Sequence, residues 1–273
     1  MKISLSTFVY FRYPLIESIR RTALYGYDAV EIWGGRPHAY AEDMSQKKIQ
    51  EVRSVLNQLG IGVSCFIPAQ FRYPTNLASQ DPEVRQKSVD YIKQSIEVAA
   101  ELGAPFVSLC SGYSTYGQSL DAAWLAMMDS LGAVLEHSAG MPLKLVLEPG
   151  NRYETDLVVT VDDAIKVVNA FDGKIGILPD TGHLFVNKES LSDVVEKVQG
   201  YTTHYHIDDN MGITDDHMVP GQGKMSYEVF LQKLKQYQYQ GYLAVELGFQ
   251  YTVDPDIAVK QSVDYLRSLQ NRS

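Results

Sequence analysis

His204-Tyr205-His206-Ile207-Asp208-Asp209-Asn210-Met211-Gly212-Ile213-Thr214-Asp215-Asp216-His217-Met218-Val219-Pro220-Gly221-Gln222-Gly223-Lys224-Met225 reads as a strand that runs into a loop, and the rest of the chain is organised around it. Side chains alternate along a strand, so His204 and His206 face one side and Tyr205 and Ile207 the other. Beyond Ile207, four aspartates and His217 lie ahead of Pro220-Gly221-Gln222-Gly223, where the backbone can turn sharply. Imidazole with carboxylate oxygen is the ligand mixture that suits a divalent transition metal. Hydrogen-bonded core histidines beside a solvated acidic loop would look the same. The neighbouring strands have to decide.

Outward from this stretch, one unit repeats. Downstream, Ser226 to Tyr239 has helical spacing, Tyr242 to Leu247 is an apolar strand, and Pro255 to Leu269 a closing helix. Upstream, Ser190 opens a helix, and Gly176-Ile177-Leu178-Pro179-Asp180-Thr181-Gly182-His183 is a strand with its loop. Before these come a helix capped by Thr160 and the strand Leu143 to Pro149. The helix from Leu120 to Ala139 carries Trp124, Met127, Met128 and Leu131 as core contacts. Further up are a strand from Pro105 to Cys110, a helix from Glu83 to Leu102, a strand from Ile61 to Ile67 and a helix from Ser45 to Leu59. The first units pair Asp28–Trp33, Ile3–Tyr10 and a helix from Pro14 to Tyr25. Eight strand-helix units predict an α/β fold in which residues 1–273 form one domain, a single (β/α)8 TIM barrel. No Gly-x-Gly-x-x-Gly turn follows an early strand, so a dinucleotide site has no support.

Composition narrows the function. The 33 acidic residues against 24 basic ones leave a net charge of −9, which disfavours nucleic acid as a partner. No apolar run approaches the ~20 residues of a membrane span and no signal peptide is visible, so a cytoplasmic protein without membrane contact is expected. Cys65 and Cys110 lack the close spacing of a metal or redox pair and read as reduced thiols. The 18 tyrosines suit either stacking on a small-molecule substrate or a buried homo-oligomer face.

Barrel topology turns strand ends into a site, because all the C-terminal ends converge on one face. Glu148 ends the fifth strand, Asp180 the sixth, His206 the seventh and Glu246 the eighth. Three carboxylates facing one imidazole would repel one another unless a cation sat among them. This ligand set predicts one divalent metal, Mn²⁺, with Mg²⁺, Co²⁺, Fe²⁺ or Zn²⁺ also compatible.

Those four strand ends, with Asp180-x-x-His183 and Asp215-x-His217 ahead of Pro-Gly-x-Gly-Lys, resemble the sugar isomerase and epimerase superfamily of xylose isomerase-like barrels over essentially the whole chain. Glu31 to Ala39 and Asp216 to Met225 more closely resemble its fructoselysine 3-epimerases. The resemblance implies ketose chemistry through an enediolate: Glu148 and Glu246 exchange the proton beside the carbonyl, and Glu154, His183 and His217 bind substrate oxygens. Return of the proton to the same carbon would make an epimerase, and to its neighbour an isomerase. Related ketose epimerases carry an arginine where His217 falls. Trp33 and His38 could line the pocket or plug the barrel mouth, and Arg36, Arg72 and Lys224 could meet a phosphate.

Other classes share this barrel. Apurinic endonucleases match at Glu148, Asp180, His183, His206, Asp215, His217 and Glu246, but also need histidines where this chain has Phe66-Ile67-Pro68 and Cys110-Ser111-Gly112. A non-catalytic sugar-binding barrel would be expected to lose one of the paired glutamates. A dehydratase or lyase would use the same enediolate.

Overall fold

The computed structural model describes residues 1–70 and 75–272, so Arg72 lies outside the described residues. Among the described residues, eight parallel strands form one sheet: β1 (Lys2–Ser6), β2 (Ala29–Gly34), β3 (Gly62–Pro68), β4 (Phe106–Cys110), β5 (Lys144–Glu148), β6 (Gly176–Ile177), β7 (Tyr205–Ile207) and β8 (Tyr242–Val245). Each pairs with the next in chain order through β6, and β8 lies between β1 and β7. The ring closes between β6 and β7 through parallel bridges Ile177–Thr203 and Asp180–His206. The second bridge sets two of the four strand-end candidates side by side.

Helices α1 (Leu15–Leu24), α2 (Gln46–Leu59), α3 (Pro82–Leu102), α4 (Leu120–His137) and α5 (Val161–Ala170) connect the first six strands. Short α6 (Thr181–Val186) and α7 (Leu191–Val198) lead into β7, and α8 (Tyr227–Gln236) and α9 (Asp256–Arg272) follow β7 and β8. Their limits follow from local chemistry. Asp81 accepts from the Glu83 and Val84 amides with Pro82 in the first turn, while Thr160 and Asp163 form a reciprocal capping box. Gly60 and Gly103 end α2 and α3 in the left-handed conformation that glycine adopts without a Cβ penalty. Met127 and Leu131 are fully buried on α4, and Trp124 and Met128 pack against the same core.

β8 ends at Val245, so Glu246 lies one residue past the strand it was expected to end, and α8 is shorter than its pattern; two further differences have a clear local cause. β1 stops at Ser6 rather than Tyr10, because the Ser6 hydroxyl accepts from the Phe8 amide and starts a 3-10 turn over Thr7–Tyr10. β6 is only two residues long, and Asp180 caps α6 instead of continuing the strand. Among the described residues, no helix is long and apolar enough to cross a membrane.

Candidate active site

Strand alternation places the β7 histidines as their spacing requires. Tyr205 packs outward on the rings of Phe230 and Tyr239, at 5.7 and 5.1 Å between centroids. His204 and His206 point into the barrel. His206 Nδ1 stands 3.0 Å from Glu148 Oε1, 3.0 Å from Glu246 Oε2 and 3.6 Å from Asp180 Oδ2. Thus the four strand ends meet at one point.

Asp180 divides its two oxygens. Oδ1 accepts from the His183 amide at 2.8 Å as the cap of α6, and buried Oδ2, without a hydrogen-bond partner among the described residues, is left to the site. Burial pushes the Glu148 carboxyl above the ordinary carboxylate range despite the attraction of His206. Burial likewise disfavours the His206 imidazolium, but the carboxylates of Glu31, Glu246 and Glu148 outweigh it and push His206 well up. Three carboxylates thus crowd one imidazole within 4.8 Å of one another. A divalent ion fits this set. Ligands about 2.1 Å from a shared ion and at right angles stand roughly 3 Å apart, the spacing His206 keeps from both glutamates.

A second group lies beside the first. His183, in the first turn of α6, directs Nε2 to Asp215 Oδ2 at 2.9 Å and lies 3.7 Å from Glu154 Oε2. Its Nδ1 faces the Pro149 carbonyl at 3.0 Å. His217 stands 3.2 Å from the same Asp215 oxygen through Nε2 and 3.0 Å from Asp208 Oδ2 through Nδ1. His183 and His217 are therefore gathered by Asp215, with Asn151 donating to it at 3.3 Å, and Glu154 joins the group through His183. Close approach here requires Gly182: a Cβ at that position would fall 2.5 Å from both Asp208 oxygens and 2.6 Å from Asp215 Oδ1. His183, Asp215 and His217, or Asp180, Asp208 and His217, could also hold an ion.

The loop after β7 is tied by Asp209. Its carboxylate accepts from the amides of Asn210, Gly221 and Met225 at 2.9, 2.9 and 3.2 Å. Gly223 lets that carboxylate in, since a Cβ there would lie 2.1 Å from Asp209 Oδ1.

Trp33 stands at the mouth in an aromatic group, 5.1 Å from Phe8 and 5.4 Å from Phe11, with Phe249 against both phenylalanines. His38 does not line the pocket. Buried, it faces the Tyr10 and Tyr13 carbonyls through Nε2 at 3.1 and 3.0 Å and Thr7 Oγ1 through Nδ1 at 3.1 Å. Burial lowers it to about 4, so it is a neutral pin under the mouth. Arg36 is spent on Asp43 at 2.6 Å on the surface.

Two contributors were given no role of their own from sequence. Asp208 is fully buried under His217, and Glu31 is fully buried beneath His206. The available signal was Glu31 itself, a lone carboxylate between Val30 and Ile32 in an otherwise apolar strand.

Residues 19–269 match the family described as xylose isomerase-like TIM barrel, and the chain belongs to that family. Fructoselysine 3-epimerase of Shigella flexneri is 27% identical over 270 residues, 98% of each chain. The 3-dehydro-D-guloside 4-epimerase of Escherichia coli (strain K12) is 25% identical over 98% of this chain and all of its own length. A crystal structure of a D-tagatose 3-epimerase-like protein superposes with a TM-score of 0.82 at 25% identity, covering 98% of this chain and 99% of that one. Within the family the chain is an isomerase-class enzyme.

Proposed function

We propose that the chain is a metal-dependent ketose epimerase that inverts C3 of fructoselysine or a related ketose through an enediolate. The observation that carries this reading is the pair Glu148 and Glu246, which approach one imidazole nitrogen from different strands, each at 3.0 Å. Glu148, Asp180, His206 and Glu246 would hold the ion. When bound, a divalent ion, Mn²⁺ by its oxygen-rich ligands, supplies Lewis acidity to the ketose oxygens.

The proton work belongs to the protein. Each glutamate turns one oxygen to His206 and has a second for a proton, so one, as the carboxylate, takes the C3 proton while the other, entering as the carboxylic acid, gives its own proton to the opposite face. Burial of Glu148 makes its carboxylate a stronger base than an exposed glutamate. His183 and His217, drawn together by Asp215, and Glu154 beside His183 offer polar atoms to the remaining hydroxyls. Trp33 presents an apolar wall to the carbon chain.

A cleft of about 450 Å³ adjoins the site at Glu154 and Thr155, bordered by Tyr113, Arg152 and Asp156. Arg152 and Asp156 bring opposite charges to its rim, which suits an amino-acid appendage on the ketose. This supports fructoselysine over an unsubstituted sugar.

The test is isotope exchange in D2O with Mn²⁺-replete protein and fructoselysine, psicose or tagatose, read by NMR. Deuterium should enter C3 of one ketose with the natural chain and not with Glu246→Gln. No exchange in any ketose, with the ion bound, would overturn the epimerase reading.

A further inference from the structure

Beneath the strand-end site, three ionisable groups run across the barrel interior. Glu31, in the middle of β2, is wholly buried, as is His204, and His206 is almost so. Glu31 Oε2 lies 2.6 Å from His204 Nε2, and its Oε1 lies 3.2 Å from His206 Nε2. Among the described residues, no lysine or arginine pairs with Glu31. A carboxylate in this position forfeits its hydration, and packing alone would be better served by an aliphatic side chain like the adjoining Val30 and Ile32.

What the carboxylate adds is a partner for the far side of a ligand. His206 aims Nδ1 at Glu148, Glu246 and Asp180, so its lone pair reaches a cation only when the ring proton sits on Nε2. The charged group facing Nε2 is Glu31 Oε1, an ion-pair contact of 3.2 Å, and among the described residues neither atom has a hydrogen-bond partner, which leaves each for the other. His204 keeps the carboxylate from turning away by holding its other oxygen. His204 is itself fixed: its amide donates to the Ile177 carbonyl at 3.2 Å, and its ring lies against Phe106, 5.7 Å between centroids.

We propose that Glu31 is a positioning residue for His206, with His204 as its anchor. The relay sets the tautomer and orientation of the ring and raises its basicity toward the ion, the role a carboxylate plays behind a metal-bound histidine. The inference rests on the metal reading of the four strand ends. It assigns a function to a buried charge that neither the fold nor the proton transfer requires.

Calorimetric titration of the full-length chain with Mn²⁺ tests it, alongside the melting temperature of the metal-free protein. Glu31→Gln keeps the shape and removes the charge. It should weaken Mn²⁺ binding about 10- to 100-fold in protein that is still folded, a loss read separately from any fall in the metal-free melting temperature. His204→Gln, which leaves the charge but frees it to rotate, should give a smaller loss, roughly threefold to tenfold, and Glu31→Asp should recover part of the affinity. A group that only fills the core would instead lower the melting temperature and leave the affinity alone. Natural affinity in Glu31→Gln overturns the proposal. If that variant does not fold, His204→Gln decides: natural affinity overturns the relay, weakened binding supports it. A natural chain that binds neither Mn²⁺ nor Co²⁺ nor Zn²⁺ overturns the site reading and the relay together, and is told apart because the unmutated protein is already silent.

Discussion

Asp215 shows how much one residue organises. Burial alone would raise its carboxyl, but the imidazoles of His217 and His183 outweigh that and hold it far below the ordinary carboxylate range. A carboxyl depressed in the folded state contributes stability above its unfolded value, about 3.9, and loses it as pH falls toward the folded one. Asp215→Asn should therefore cost about 3 kcal/mol near neutrality, since it takes the nearest carboxylate from buried His183 and leaves half-buried His217 with Asp208 alone. The gap between variant and natural chain should hold from pH 7 to about 4 and narrow below, in denaturant unfolding followed across that range. A gap that widened on acidification would mean that Asp215 is not the charged partner. The same variant releases His183 and His217, so KM for the ketose should rise more than kcat falls.

The element that most deserves separate treatment is the segment from Asp209 to Met225, which carries His217 but has little regular structure of its own. It is tied at its root by the paired backbone hydrogen bonds between Asp209 and Met218, at 2.9 and 2.6 Å, and by the Asp209 carboxylate. Asp209→Ala strips acceptors from three amides, and a buried amide without an acceptor costs about 1–3 kcal/mol. Hydrogen exchange across residues 210–225 should accelerate by more than tenfold while β1 to β5 stay protected. Equal protection in variant and natural chain would show that Pro220 and the backbone pair hold the loop unaided. The contrast with α5 is instructive: its reciprocal Thr160–Asp163 cap is local, so a four-residue window of sequence was enough to find its start.

At the scale of the molecule, the site closes the barrel as well as serving it. Asp180 and His206 bridge the seam between β6 and β7, where the strands themselves contribute few residues. An ion shared by Asp180, His206, Glu148 and Glu246 would clamp that seam and cancel the repulsion of three buried carboxylates. Mn²⁺ at a hundred times its Kd stabilises a protein by about 2.7 kcal/mol, roughly 5–10 °C in Tm for a chain of this size. Chelation with EDTA should reverse the shift in a thermal melt, and a Tm indifferent to both additions would exclude a bound ion at this place.

The strand order, the helix spans and the meeting of Glu148, Asp180, His206 and Glu246 were legible in the chain because each follows from a short period. Two-residue alternation says which side chains enter the barrel, and parallel topology says which end they gather at. The early end of β1 and the capping of α6 by Asp180 were less legible, because one side-chain hydrogen bond decides each. What no local pattern carries is partnership across the closed ring. Glu31 reaches His204 over a separation of 173 residues, and Asp215 meets His183 from another loop. Those contacts exist only once the sheet has closed and its interior is dry. Burial then makes an unpaired charge costly enough to select its partner, whereas the separate stretches of sequence carry only the charges.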